Sequence, residues 1–294
     1  MRNTASRYIM EYCRKNKNGF LIAGDAGFGV WDDFKKELPD QYLNPGINEA
    51  ATIGLAAGMA LRGHRVFIYN IIPFLMMRCY EQVRLDICYQ NLPVVFIGIG
   101  SGITYAPAGM THYSVEDIAI AATFPNINII SPSDPNQVNK ALEYAVLAET
   151  PTYIRVSKAG EPNITSTDAD ISSLCCIRKT GSRKAVIFHG SISDAVISAG
   201  ESADFDIYTL PMLQPLDSAG VQAVYEQYEK IFIAEEHFGY GGLYTMLKHV
   251  LPDSAKLQSL AIRNEYIHKI GNRDHLRRYY GIDAESIAAR INGE

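Results

Sequence analysis

One segment restricts the fold more than any other. LPVVFIGIG (92–100) is apolar at consecutive positions, so a strand over 92–98 is of the type that needs cover on both faces. Its neighbours supply that cover. An amphipathic helix is expected over 4–17, a strand over 20–23 ending in GDAGFG (24–29), and a helix over 48–61 rich in small residues. A strand at 65–70 and a helix at 78–90 precede the apolar strand. A helix at 114–122, a strand at 127–130, a helix at 134–148 and a strand at 152–156 follow it. Strict β–α alternation of this kind predicts an α/β fold, a doubly wound parallel sheet with helices on both faces. The pattern breaks at 157–183, a run of Gly, Pro, Asn, Ser and Thr with one short strand at 175–178. A second α/β unit then starts, with strands at 185–188, 206–210 and 230–234 and helices at 193–203, 218–228 and 242–250. The expected division is therefore 1–160, a linker at 161–182, and 183–294.

Composition excludes several classes. The 294 residues are 47% hydrophobic, enough for two cores and too apolar for a disordered chain. A net charge of -5 without a clustered basic surface argues against nucleic acid. No apolar run approaches the ~20 residues that span a bilayer, and the first residues contain no apolar signal core. Five cysteines without a C-x-x-C pair read as free thiols of a cytoplasmic protein.

Local motifs give little chemistry alone. GDAGFG lacks both G-x-G-x-x-G spacing and a following Lys-Ser/Thr, so it reads as a tight turn. The histidines are dispersed and offer no metal site. Glu49 opens the small-residue helix, where a carboxylate is favoured by the helix dipole whatever its function. THYSVED (111–117) joins a histidine to two carboxylates, which also suits an ordinary capped loop.

Order and spacing together say more. PGINEAATIGLAAGMAL (45–61), PFLMMRCYEQVR (73–84), GMTHYSVEDIA (109–119), FPNINIISPSD (124–134) and PTYIRVSK (151–158) resemble, in that order, the pyrimidine-binding domain of transketolases and deoxyxylulose-phosphate synthases. HGS (189–191), PLD (215–217), AEEH (234–237), GGL (241–243) and YGID (280–283) resemble the transketolase C-terminal domain. The resemblance implies two doubly wound α/β domains and a cofactor, thiamine diphosphate, held between subunits. The G-D-G and Asn signature of the diphosphate domain is absent. The chain is thus expected to be the C-terminal subunit of a split transketolase. A separate N-terminal subunit would bind the diphosphate and Mg²⁺ or another divalent ion, in a two-plus-two heterotetramer. The small-residue helix would then pack at the twofold axis.

The same resemblance implies the site. Glu49 matches the glutamate at the pyrimidine ring nitrogen, where a carboxylate removed from water favours the imino form that takes a proton from the thiazolium carbon. Phe74 or Leu75 would pack on the ring, with Ile72 and Arg78 on the same wall. His112 would face the ketose donor, and Arg155 would bind the sugar phosphate. Three positions depart from the family. Ala108 stands where it has an aspartate, Gly100 where it has a histidine, and Gly29 near a phosphate-binding serine. These departures imply an unusual or modified sugar, with Tyr105 and Tyr113 filling part of the space. Glu235, Glu236 and His237 are expected to support the domain junction. Two alternatives remain open: the β subunit of a 2-oxo acid dehydrogenase E1 component, and a catalytically degenerate regulatory or scaffold subunit.

Overall fold

The computed structural model describes residues 1–27, 29–158 and 160–293. Phe28 of GDAGFG, Ala159 of the connector and Glu294 lie outside the described residues.

The first unit begins with helix α1 (Arg2–Lys15), which turns Thr4, Ala5, Ile9 and Cys13 inward at helical spacing. Then come β1 (Gly19–Ala23), the short helix α2 (Asp32–Glu37), β2 (Tyr42–Leu43), α3 (Glu49–Leu61) and β3 (Arg65–Ile71). The expected helix at 78–90 forms differently. Two wide turns, Pro73–Met77 and Val83–Cys88, flank the single turn α4 (Tyr80–Gln82). Their signature is the bond of each fifth residue, Arg78 N–H to Pro73 O at 3.0 Å and Tyr89 N–H to Arg84 O at 2.8 Å. The apolar segment becomes β4 (Val95–Ile99), buried at every position. It is followed by α5 (Asp117–Ala121), β5 (Asn128–Ile130), α6 (Pro135–Leu147) and β6 (Thr152–Val156). Asp134 caps α6, accepting from Gln137 N at 2.7 Å, with Pro135 at the first helical position.

The second unit contains β7 (Cys175–Arg178), β8 (Lys184–Phe188), α7 (Ser193–Ala199), β9 (Asp206–Thr209), β10 (Met212–Gln214), α8 (Ser218–Gln227) and β11 (Lys230–Phe238). It ends with α9 (Leu243–Val250), β12 (Leu257–Ile262), α10 (Arg273–Tyr280) and α11 (Ala284–Asn292). The sequence pattern had shown neither β12 nor the last two helices.

Two sheets result. One has seven strands in the order β10-β5-β6-β4-β3-β1-β2, parallel except for β10; the other has the order β12-β11-β8-β9-β7, parallel except for β7. Strand β10 follows the connector in sequence yet pairs with β5, so the second half of the chain closes the edge of the first sheet. The connector itself is held to α6, because Asp134 Oδ2 accepts from the backbone N–H groups of Ile164 and Thr165. All five cysteines are free. Among the described residues no helix is long and apolar enough to cross a membrane.

Candidate active site

In the first sheet the chain goes from β1 to β2 on one side and then to β3 on the other. A crevice opens where strand order reverses in this way, beyond the carboxyl ends of the strands. Here it is a cleft of about 250 Å³, lined by Asp25 and Ala26 after β1, Gly46 and Ile47 after β2, Glu49, Asn70, Ile71, Phe74 and Arg78. Glu49 starts α3, and its side chain retains 12% exposure. Arg78 Nη1 lies 2.9 Å from its Oε2, and the guanidinium carbon is 4.3 Å from the centre of the Phe74 ring.

The wide turn at 73–77 decides between neighbouring side chains. It leaves Phe74 half-buried on the cleft and turns Leu75 into the core at 1% exposure. Ile72 is wholly buried against Gly98, where an added Cβ would meet Ile72 Cγ1 at 2.7 Å. Neither Ile72 nor Leu75 therefore lines the cleft, contrary to expectation, because the backbone points both inward.

His112 sits across Phe74, ring centres 5.4 Å apart and edge to face. Thr111 Oγ1 is 2.8 Å from His112 Nδ1, and among the described residues Nε2 has no partner. The Tyr105 ring lies 6.3 Å from the imidazole. Tyr105 also covers Gly100, where an ideal Cβ would come within 2.3 Å of its ring. With φ at +86°, Gly100 adopts a backbone that other residues avoid, and Tyr105 occupies the room a side chain there would need. Ala108 is exposed at the tip of the same loop.

Two side chains expected at the substrate are buried in this structure. Arg155 is 1% exposed, and its Nε and Nη2 donate inside the protein. Its Nε meets Asp117 Oδ2 at 2.8 Å, and Nη2 donates to Ser114 O at 2.7 Å and Glu236 O at 3.0 Å. Tyr153, on the same face of β6, donates to the same carboxylate oxygen at 2.7 Å. Burial disfavours the Arg155 charge, but Asp117, Tyr153 and Glu236 together outweigh it and raise its basicity. Burial and these three bonds commit Nε and Nη2 of this guanidinium to the fold. Tyr113 is also buried, its hydroxyl donating to Ala106 O at 2.5 Å, so it fills no substrate space.

Two further cations are not among the expected site residues. Lys158, just past β6, is exposed and makes no ion pair among the described residues. Arg2, half-buried in the first turn of α1, acts electrostatically on the phenols of Tyr69 and Tyr105. Burial raises both, and Arg2 pulls them back. Among the described residues its side chain makes one hydrogen bond, Nε to Asn3 Oδ1, 3.4 Å long. Sequence pattern did not single out Arg2, Lys158, Asp25 or Asn70. Only their position at strand and helix ends beside the motifs hinted at them.

The cleft presents a carboxylate at one edge, an aromatic face and apolar walls, which suits a flat nitrogen heterocycle. Beyond Phe74 lie an imidazole and a phenol, with Arg2 acting on the phenol, which suits a hydroxylated anion.

Residues 1–161 match the family described as transketolase, pyrimidine-binding domain. The chain is 32% identical to a subunit of the apulose-4-phosphate transketolase of Actinobacillus succinogenes, over 92% of this chain and 91% of that one. It is 29% identical to the protein of the same name from Phocaeicola vulgatus, over 95% and 92%. Its fold is similar to that of a solved split gene transketolase, an inactive beta4 tetramer, with a TM-score of 0.87, 22% identity and coverage of 99% of this chain and 97% of that one.

Proposed function

Because this chain belongs to the transketolase family, as the C-terminal subunit of a transketolase made from two kinds of chain, we propose that its cleft holds the pyrimidine ring of thiamine diphosphate and serves ketol transfer. The observation that carries this reading is the pairing of Glu49 with an aromatic wall at the strand-order reversal. Thiamine diphosphate, when bound, supplies a carbon nucleophile and an electron sink for cleaving a bond beside a carbonyl. Glu49 bonds a ring nitrogen and shares a proton there, Phe74 covers the ring face, and Asp25 and Asn70 provide polar edges. His112 meets the hydroxyls of a ketose and moves a proton at Nε2.

The reaction breaks the C2–C3 bond of a ketose phosphate, releases the remainder as a carbonyl compound as the C3 hydroxyl gives up its proton, and joins the two-carbon unit to the carbonyl carbon of an aldehyde, whose oxygen takes up a proton. Arg2 and Lys158 receive the phosphate. Apulose 4-phosphate, the substrate in the names of the two relatives, is the first donor to try. Filling of the Gly100 space by Tyr105 supports a ketose of unusual shape.

A partner subunit provides the diphosphate and metal site, in a two-plus-two assembly. The exposed face of α3 carries Ala51, Gly54, Leu55, Gly58 and Leu61, small or apolar side chains that permit close helix packing across a twofold axis. Five free thiols suit a reducing cytoplasm. The division into a cofactor domain before the connector and a second domain after it follows the two sheets, with β10 crossing between them.

Calorimetry tests this. Thiamine diphosphate with Mg²⁺ should bind the two-subunit complex and not this chain alone, and Glu49→Ala should abolish ketol transfer by the complex. Tight binding by the lone chain would sink the shared-site reading.

A further inference from the structure

We propose that Glu236, in the second domain, positions the loop that presents Tyr105 and His112 to the substrate. The proposal rests on the transketolase reading for its kinetic consequence and on geometry alone for its structural one.

The loop leaves β4 at Gly100 and reaches α5 at Asp117 without a long regular element of its own. A loop of this kind needs an external support to hold functional side chains. Its apolar residues Ile103, Ala106, Tyr113 and Val115 do not join the core of the sheet they come from. They belong to the second domain's core, with Phe188, Phe232 and Leu276. The N–H of Phe238, at the end of β11, donates to Val115 O at 2.8 Å.

Glu236 holds one leg of this loop directly and the other through Arg155. Its Oε2 accepts from Ile103 N at 3.4 Å, and its main-chain oxygen accepts from Arg155, which also grips Ser114 O. Gly102 and Ser114 exchange backbone hydrogen bonds at 3.2 and 3.0 Å, so the two legs move together. Gly102 lies so close to Glu236 that an added Cβ would come within 2.5 Å of the glutamate Cβ. From the other side Arg273 and Arg277 clamp the carboxylate, their Nε atoms 2.9 and 2.6 Å from Oε1. Both arginines also bond Ser191 O at 2.7 Å. Glu236 is 1% exposed, so the carboxylate is a fixed post between α10 and the loop.

Three variants separate positioning from mere folding. Gly102→Ala presses a methyl against the Glu236 Cβ and Oε2 and so disturbs the contact from the loop side. Arg273→Lys loosens the clamp at its more exposed member. Glu236→Gln removes the charge. Hydrogen exchange at 103–113 and the His112 ring resonances are followed in the full chain, and donor kinetics are followed in the complex with the partner subunit. The expected result is faster exchange of the loop, shifted His112 resonances and a rise in ketose KM of about tenfold or more, with thiamine diphosphate affinity held within about twofold. If Glu236→Gln does not fold, the other two variants decide. Unchanged loop exchange and unchanged His112 signals in a folded variant overturn the proposal, as does an equal loss of cofactor affinity. If the wild-type complex transfers no ketol unit, the functional reading fails, and the exchange data still decide whether Glu236 positions the loop.

Discussion

Arg78 bridges Glu49 and Phe74 on the wall of the cleft, with Nη1 at 2.9 Å from Glu49 Oε2 and the guanidinium 4.3 Å from the Phe74 ring centre. The arginine is half exposed, and an ion pair in that setting is worth about 1 kcal/mol or less. It also stands on the aromatic face and carboxylate that a heterocycle would use. Arg78→Met is therefore expected to change thiamine diphosphate Kd in the assembled enzyme by no more than about fivefold. A loss of affinity of about a hundredfold would show that Arg78 itself holds the cofactor.

Phe74 and Leu75 are adjacent and should fail in different ways. Leu75→Ala empties a core position and should cost about 2–5 kcal/mol in denaturant unfolding. Phe74→Ala removes a half-buried wall and should weaken cofactor binding while costing far less stability. Calorimetry and a urea titration on both variants check this; the reverse pattern would mean that the ring packs on Leu75.

Arg155 and Lys158 make a second contrasting pair. Arg155→Met strands Asp117, already lacking a partner for Oδ1, and should destabilise the protein by about 3–5 kcal/mol. Lys158→Met should leave unfolding unchanged and raise KM for a phosphorylated ketose while sparing the unphosphorylated sugar. A stable Arg155→Met protein with a selective defect toward the phosphate would restore Arg155 as the anion site.

Acid should loosen the domain junction. Burial alone would raise the Glu236 carboxyl, but Arg273 and Arg277 overcome it and hold the group at about 2, against an ordinary 4.5. A depressed carboxyl contributes stability that is present above the unfolded value and lost as pH falls toward the folded one. The window is thus about pH 5 down to about pH 2, and the contribution is on the order of 3 kcal/mol. Unfolding free energies measured across that range should fall less steeply for Glu236→Gln than for the wild type.

Legibility in the sequence followed the range of the interactions. The β–α alternation and the apolar β4 are local patterns, and the helix after Glu49 was visible from its composition. Phe74 and Leu75 stayed unresolved because a five-residue hydrogen bond, from Arg78 N–H to Pro73 O, alters the angular step on which spacing arguments depend. Strand β10 escaped notice because its partner β5 lies far away in the chain. Arg155 misled because residue type and strand position do not state which groups will stand opposite a buried guanidinium.

The sequence by itself determined the two α/β units, the order of the motifs and the presence of a carboxylate at the start of a small-residue helix. These are properties of neighbouring residues and of periodicity. Only the tertiary structure decided that Arg155 is spent on Asp117 while Lys158 stays exposed, that Tyr105 covers Gly100, and that the His112 loop rests on the second domain. Those outcomes depend on which chemical groups meet across the domain junction. A buried charge goes to whichever partner satisfies it, and that partner is chosen in space.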